Sequence, residues 1–172
     1  MSEAGSSIQA MEEDIRSYLP DYSGYAEKDQ RAKTDRLLRE HLNQQIAALT
    51  SALQGAVRDL GSSSDSDVAH AIERVRRKLE VIADGLNESL AEAETSVSSL
   101  DESAVPKLYA YDLSILKRVA ALRREVDNID VRSITSDEEG ETLTLLDDLV
   151  DGLSQDLFER DTLIEGQDEV EY

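Results

Sequence analysis

Residues 66–100 read SDVAHAIERVRRKLEVIADGLNESLAEAETSVSSL. Within them Val68, Ile72, Val75, Leu79, Ile82, Leu86, Leu90, Ala93, Val97 and Leu100 step by 4, 3, 4, 3, 4, 4, 3, 4 and 3. A half-buried strand alternates with a period of two, whereas a spacing near 3.5 marks a helix with a narrow apolar seam. No proline interrupts the run. The spacing therefore predicts one helix over 66–100, about 52 Å long at 1.5 Å per residue.

The same pattern continues on both sides. Upstream, Leu38, Leu42, Ile46, Leu49, Leu53, Val57 and Leu60 predict a helix over 25–60. The run from Gly61 to Asp67 breaks it, with Gly61 suited to the helix end and Asp65 or Ser66 to the next cap. Downstream, the run from Asp101 to Pro106 is a boundary, with Ser103 as cap and Pro106 in a first helical turn. Leu108, Tyr111 or Asp112, Ile115, Val119, Leu122, Val126 and Ile129 carry a fourth helix over 106–129. Thr135 or Ser136 starts a fifth over 137–164, with Leu143, Leu146, Leu149 or Val150, Leu153, Leu157 and Ile164. Near the start, Ile8, Met11, Ile15 and Leu19 form one face of a short helix stopped by Pro20, followed by a turn.

Helices joined by short polar loops pack antiparallel. The expected fold is all-α: an elongated antiparallel bundle with coiled-coil-like packing, made of a long hairpin (25–100), a short hairpin (106–164) and a short amphipathic helix (8–19). It is one domain over 8–164, with a disordered start (1–7) and an acidic tail (165–172). The long hairpin should overhang the short one, and the short helix with its Tyr-rich turn is the expected cover. Gly55, Gly85 and Gly152 interrupt helices, which reads as close helix contact or simple tolerance.

Charge narrows the function classes. The 172 residues hold 38 Asp+Glu against 18 Lys+Arg, a net of −20, with no Cys, no Trp, one Phe and two His. A phosphate backbone would be repelled, so no nucleic-acid partner is expected. Disulfides and thiolate zinc sites need Cys. No apolar run approaches the roughly 18 residues of a membrane span. Met1 to Gln9 lacks the basic and apolar regions of a secretory signal, so a cytoplasmic protein is expected. Asp-rich, Lys-poor, Cys-free composition is that of halophilic, archaeal-like proteins, whose charge is screened at molar salt, where the Debye length is about 3 Å. The charge is also partitioned: residues 1–24 sum to −4, 25–60 to +1, 61–103 to −6, 104–134 to +2 and 135–172 to −13. Basic and acidic helices are expected to alternate around the bundle.

Catalytic signatures are missing. There is no phosphate loop, dinucleotide fingerprint or HExxH. His41 and His70 should lie a few turns apart in the hairpin, a poor shared metal site. A di-metal bundle site wants Glu-x-x-His on facing helices, which neither Glu40–His41 nor His70–Glu73 supplies. No catalytic residue, cofactor or metal ligand is assigned. The basic run Arg74, Arg76, Arg77 and Lys78 reads either as interhelical ion pairs or as a contact for an acidic partner. Three of six tyrosines, Tyr18, Tyr22 and Tyr25, crowd one turn, which reads either as packing onto the bundle or as a docking surface. These seven residues are the candidate protein-contact positions.

The stretch from Leu19 to Arg39 also resembles an uncharacterised prokaryotic helical family. The shared pattern is L-P-x-Y-x-G-Y followed by a basic helix with D-x-L-L-R, matched here by Leu19, Pro20, Tyr22, Gly24, Tyr25, Lys28, Arg31, Asp35, Leu37, Leu38 and Arg39. The match covers about 20 residues. The resemblance implies a partner role beside SPFH-type membrane-scaffold proteins. The residues themselves favour a non-enzymatic scaffold or adaptor with unknown protein partners, acting through helix faces and the Tyr turn as a monomer or weak homodimer. The alternatives are a peripheral membrane-associated helical protein and a metal-binding bundle.

Overall fold

The computed structural model describes residues 3–61, 66–129 and 136–166. The chain is all-α, and no strand occurs among the described residues. The helices are α1 (Glu3–Tyr18), α2 (Lys28–Leu60), α3 (Ser66–Glu88), α4 (Leu90–Ser98), α5 (Val105–Asp127) and α6 (Ser136–Glu165), with a 3-10 turn at Glu102–Ala104 before α5. The apolar stripes face inward. Leu38, Leu42, Ile46, Leu49 and Leu53 of α2 are buried against Val68, Ile72, Val75, Leu79, Ile82 and Leu86 of α3 and the stripes of α5 and α6. Burying such side chains stabilises the fold by about 1.5–3 kcal/mol each.

Side-chain pairs fix how the helices run. Arg36 faces Glu94, Arg39 faces Ser89 and Asn43 faces Asn87, so α2 is antiparallel to α3 and α4. Tyr111 meets Glu159, and Ser114 and Arg118 meet Asp156, so α5 and α6 are antiparallel too. The two hairpins then lie side by side with like directions adjacent. Arg74 and Lys78 of α3 reach Asp147 and Asp151 of α6. Tyr25, just before α2, bonds Tyr109 of α5, while His41 and Gln45 lie beside Leu116 and Val119 farther along. The order around the bundle is α2, α3, α6, α5. Helix charge therefore does not alternate, contrary to the sequence expectation. The two acidic segments neighbour each other, and so do the two basic ones.

Three further expectations are corrected. The helix expected to be continuous over 66–100 breaks at Ser89, between α3 and α4. There Ser89 Oγ donates to the Gly85 carbonyl at 2.9 Å, and a serine that bonds the preceding turn bends a helix, the more so beside glycine. Helix α1 begins at Glu3, so residues 3–7 belong to it, and it packs along α5 rather than covering an overhang. Asp101, not Ser103, caps the turn before α5, accepting from the Ser103 amide at 2.9 Å. The expected caps Asp65 and Thr135 and the tail beyond Gly166 lie outside the described residues.

Two glycines have the positive φ that side chains resist. Gly61 (φ 60°) ends α2, as its sequence position suggests. Gly24 (φ 76°) sits in the turn before α2, where a Cβ would collide with the Glu12 carboxylate and the Tyr109 hydroxyl. By contrast, a Cβ at Gly55, in the middle of α2, would meet nothing within 4 Å. Gly24→Ala is expected to destabilise the protein by at least about 1–2 kcal/mol from backbone strain alone. Gly55→Ala should stabilise it by roughly 0.5–1 kcal/mol. The shift in urea midpoint of the two variants checks both signs.

Candidate functional site

Pro20 stops the chain after α1, and residues 19–27 return it to the start of α2. Alternate residues of this return segment face inward: Tyr22 is 2 % exposed and Tyr25 0 %, whereas Pro20, Asp21, Ser23, Ala26 and Glu27 are exposed. Their rings meet Tyr109 of α5 edge to face, with centroids 5.9 Å (Tyr22–Tyr25), 6.3 Å (Tyr22–Tyr109) and 5.3 Å (Tyr25–Tyr109) apart. Edge-to-face aromatic pairs add about 0.5–1.5 kcal/mol beyond their area burial.

Every phenolic hydroxyl of the trio has a partner. Tyr22 donates to Asp112 Oδ2 at 2.7 Å, and Tyr25 donates to the same oxygen. Tyr109 accepts the Tyr25 amide at 2.7 Å and donates to Glu12 Oε1 at 2.6 Å. The other oxygen of Asp112 accepts from Arg160 Nε at 2.6 Å. Arg160 continues to the Tyr25 hydroxyl at 3.0 Å and to Asp35 Oδ1 at 2.7 Å, the latter an ion-pair contact outside hydrogen-bond angles. The second Asp35 oxygen accepts from Arg39 at 2.9 Å. Arg39 then reaches Ser89 and Asp161, each at 2.7 Å.

A third arginine anchors the turn itself. Arg31, fully buried, donates to the carbonyls of Tyr25 and Leu100, each at 2.8 Å, and to Glu102 at 2.7 Å. Thr34 donates to the Gly24 carbonyl at 2.8 Å. One connected network thus ties α1, the Tyr turn, α2, the α3–α4 break, the α4–α5 link, α5 and α6.

Burial and charge set the protonation states. Burial pushes Tyr22 and Tyr25 far above the usual tyrosine range, and the Asp112 carboxylate pushes the same way. Tyr109 is raised by burial and by Glu12. Burial alone would raise Asp35, but the Arg160 and Arg39 guanidiniums outweigh it and hold its carboxyl below the ordinary value. Arg160, despite burial, is held charged by Asp112 and Asp35. Asp35, Asp112, Arg39 and Arg160 are each at most 1 % exposed, so the ion cluster offers water and solutes no open acid or base.

The sequence candidates separate accordingly. Tyr22 and Tyr25 are core residues, which corrects their reading as a docking surface: their hydroxyls are taken by Asp112, and neither ring reaches the surface. Tyr18 is half-buried and lines a groove of about 350 Å³ with Ser17, His41, Gln45, Leu116, Val119, Ala120 and Arg123. In the basic run, Arg76 pairs with Glu73 and Glu80 of its own helix, and Lys78 with Asp147 and Asp151 of α6. Arg74 comes only within 3.7 Å of Asp147. Arg77 points outward with no ion pair among the described residues. His70 is exposed on the outside of α3, whereas His41, lowered by burial, lies between α2 and α5.

The sequence reading missed Arg31, Asp35, Asp112 and Arg160 as a unit. The signal was present: each sits where the apolar stripe calls for a hydrophobe. Leu146, Val150, Leu153, Leu157, Arg160 and Ile164 step by 4, 3, 4, 3 and 4, with the one base of the segment in the seam.

Among the described residues, no group of three or more His, Asp or Glu side chains could hold a metal ion, and no helix is long and apolar enough to cross a membrane. No protein-family model, curated protein or solved structure matches the chain.

Asp112→Asn would leave the buried Arg160 and Arg39 charges to share the single carboxylate of Asp35, and should cost about 3–5 kcal/mol. Stability should also fall at both pH extremes. Asp35 ionises at a lower pH in the fold than in the unfolded chain, so its contribution is complete above 3.8 and lost as pH drops through the folded value. Tyr22, Tyr25 and Tyr109 ionise at a higher pH in the fold, so stability is lost above 10.0 as the unfolded chain releases those protons first. Each tyrosine contributes a slope of about 1.4 kcal/mol per pH unit there. Chemical denaturation from pH 9 to 11 should therefore show a shallower alkaline loss for Tyr22→Phe than for the parent.

Proposed function

We propose that this protein is a non-enzymatic scaffold or adaptor that works by presenting rigid helix faces to protein partners. The observation that carries this reading is the fate of its most concentrated chemistry. The Asp–Arg–Tyr cluster is sealed, neutralised within itself and bonded to every part of the bundle, which suits a clamp that holds surfaces in register. A reaction centre would need an acid, base or nucleophile that a substrate can reach.

The surface such a clamp would hold steady is the groove beyond the end of α1. There α1, which packs along α5, stops at Tyr18, and a groove between α2 and α5 opens over His41, Gln45, Leu116, Val119, Ala120 and Arg123. A partner helix laid end to end with α1 would fill that groove, as amphipathic helices do in apolar grooves. The composition supports a working place in the cytoplasm of a salt-adapted, archaeal-like cell.

Helix α1 gives no support to a bilayer-lying role. Its Ile15 is fully buried, Ile8 and Met11 pack on the core, and Glu12 is bonded to Tyr109. The family resemblance also acquires a physical sense. Its matched Tyr22, Gly24, Tyr25, Arg31, Asp35 and Arg39 are buried members of the clamp, so they speak for a shared fold more than for a shared SPFH-type partner.

A photo-crosslinking residue at Ala120, an exposed position in the groove, is expected to trap a specific protein in native extract at working salt. The adduct should vanish on Tyr18→Glu and be missing from a probe at exposed Glu40. The same adducts from both probes, or none from Ala120, would count against the reading.

A further inference from the structure

The outer face of α3 carries a second repeat. His70, Arg74, Arg77, Val81, Asp84 and Glu88 step by 4, 3, 4, 3 and 4, the spacing of the core stripe, and all six are exposed. Val81, at the centre, is 70 % exposed. Beside it, across the shallow groove between α3 and α6, Phe158 is 67 % exposed and is the one phenylalanine of the chain. Single exposed hydrophobes are ordinary. Two of them adjoining one groove at the middle of a charged stripe are less so.

The charge on this stripe reverses about Val81. Between His70 and Val81 the stripe is basic, with Arg74 and Arg77, and beyond Val81 it is acidic, with Asp84 and Glu88; Asp67 lies outside it in the first turn of α3. The α6 acids along the groove are already matched inside the chain, Asp147 and Asp151 by Lys78 and Asp161 by Arg39. Arg77, Asp84 and Glu88 make no ion pair among the described residues, and Arg74 has only the 3.7 Å approach to Asp147. What is left outward on α3 is therefore the sign reversal itself.

A stripe with that symmetry is complementary to its own reverse. Laid antiparallel on a second α3 with Val81 over Val81, Arg74 falls opposite Glu88 and Arg77 falls opposite the Asp84–Gly85 step. Gly85 leaves room there, because a Cβ built on it meets nothing within 4 Å. Parallel alignment would set like charge on like. An acidic peptide would suit the Arg74–Arg77 half but be repelled by Asp84 and Glu88. Isologous two-fold contacts require this kind of self-complementary patch.

We propose that the outer face of α3 is a homodimer interface, in which a second copy of the chain docks antiparallel about Val81 and Phe158 adds apolar surface at its edge. This goes beyond the adaptor reading and does not depend on it, since it concerns a different face. The two copies would place two Tyr18 grooves in one particle.

The test is sedimentation velocity of the full chain over about 1–500 µM. The parent should pass from one chain to two. Arg74→Glu makes the stripe acidic at both ends, and Glu88→Arg makes it basic at both ends. Each variant alone should self-associate at least about tenfold more weakly, a difference of about 1.4 kcal/mol. An equimolar mixture of the two should form a heterodimer, and the double variant should recover self-association. Val81→Glu should remain a single chain. All three positions are exposed, so an unchanged urea midpoint confirms that folding is intact. A parent that stays a single chain throughout overturns the proposal, whether or not it binds an acidic peptide. So does a dimer that ignores these substitutions, or a mixture that fails to pair.

Discussion

A guanidinium in the middle of a helical bundle is the constraint on which the rest of this structure depends. Arg160 is 1 % exposed, and removing its charge from water carries a penalty of several kcal/mol. Only carboxylates in the right place can offset that. Asp112 supplies one from α5 and Asp35 supplies the other from α2, at 2.6 and 2.7 Å. Three helices must therefore meet at one level. An apolar stripe is indifferent to a slip of one turn, because a leucine finds another leucine. A stripe holding Arg160, Asp112 and Asp35 is not, because the same slip strands three charges in hydrocarbon. Such a cluster contributes little net stability compared with well-packed hydrophobes, but it specifies register strongly, as a polar group in a coiled-coil seam does.

The other irregular features follow from that meeting point. Asp112 still has a lone-pair direction to fill after Arg160, and Tyr22 and Tyr25 fill it from the turn before α2. Bringing those hydroxyls inward draws Tyr22, Gly24 and Tyr25 of the return segment into the core. That in turn needs Gly24 at a positive φ and Arg31 to take the freed carbonyl of Tyr25. Asp35, shared between two arginines, places Arg39 so that it reaches the α3–α4 break. There the Ser89 hydroxyl accepts from Arg39 while donating to Gly85, so the same atom that bends the helix also ends the network.

Much of this was legible in the sequence, and the illegible part has a physical cause. The apolar repeats give the helices and most of their ends, because periodicity is a local signal. The hairpin also follows, since the break after Gly61 folds α3 back along α2 and brings Arg39 opposite Ser89. The break at Ser89 was hidden, since the apolar repeat runs straight through it from Leu86 to Leu90. The clamp was hidden for a different reason. Asp112 shares a candidate stripe position with Tyr111, and Arg160 is the one base among the fourteen acids of residues 135–172. Their pairing depends on which helices are neighbours, and spacing along one chain does not report the order α2, α3, α6, α5.

That order also changes the meaning of the net −20. Residues 61–103 and 135–172, which sum to −6 and −13, supply helices that lie against each other instead of being separated by basic ones. Two like-charged helices side by side repel, and the repulsion is strongest where water is least able to screen it. The basic run on α3 lies at this seam. Lys78 bridges Asp147 and Asp151, and Arg74 leans towards Asp147. Of the run that reads as ion pairs or as a patch for an acidic partner, Lys78 is spent holding α6 and Arg76 is spent on Glu73 and Glu80 of its own helix. Arg77, and Arg74 apart from its 3.7 Å approach to Asp147, are what remain of it, facing outward on the Val81 stripe. The acid excess and the few bases placed against it are two halves of one arrangement. The clamp fixes the register of the bundle from within, and the Lys78 bridge to Asp147 and Asp151 holds together the seam where the surface charge works against it.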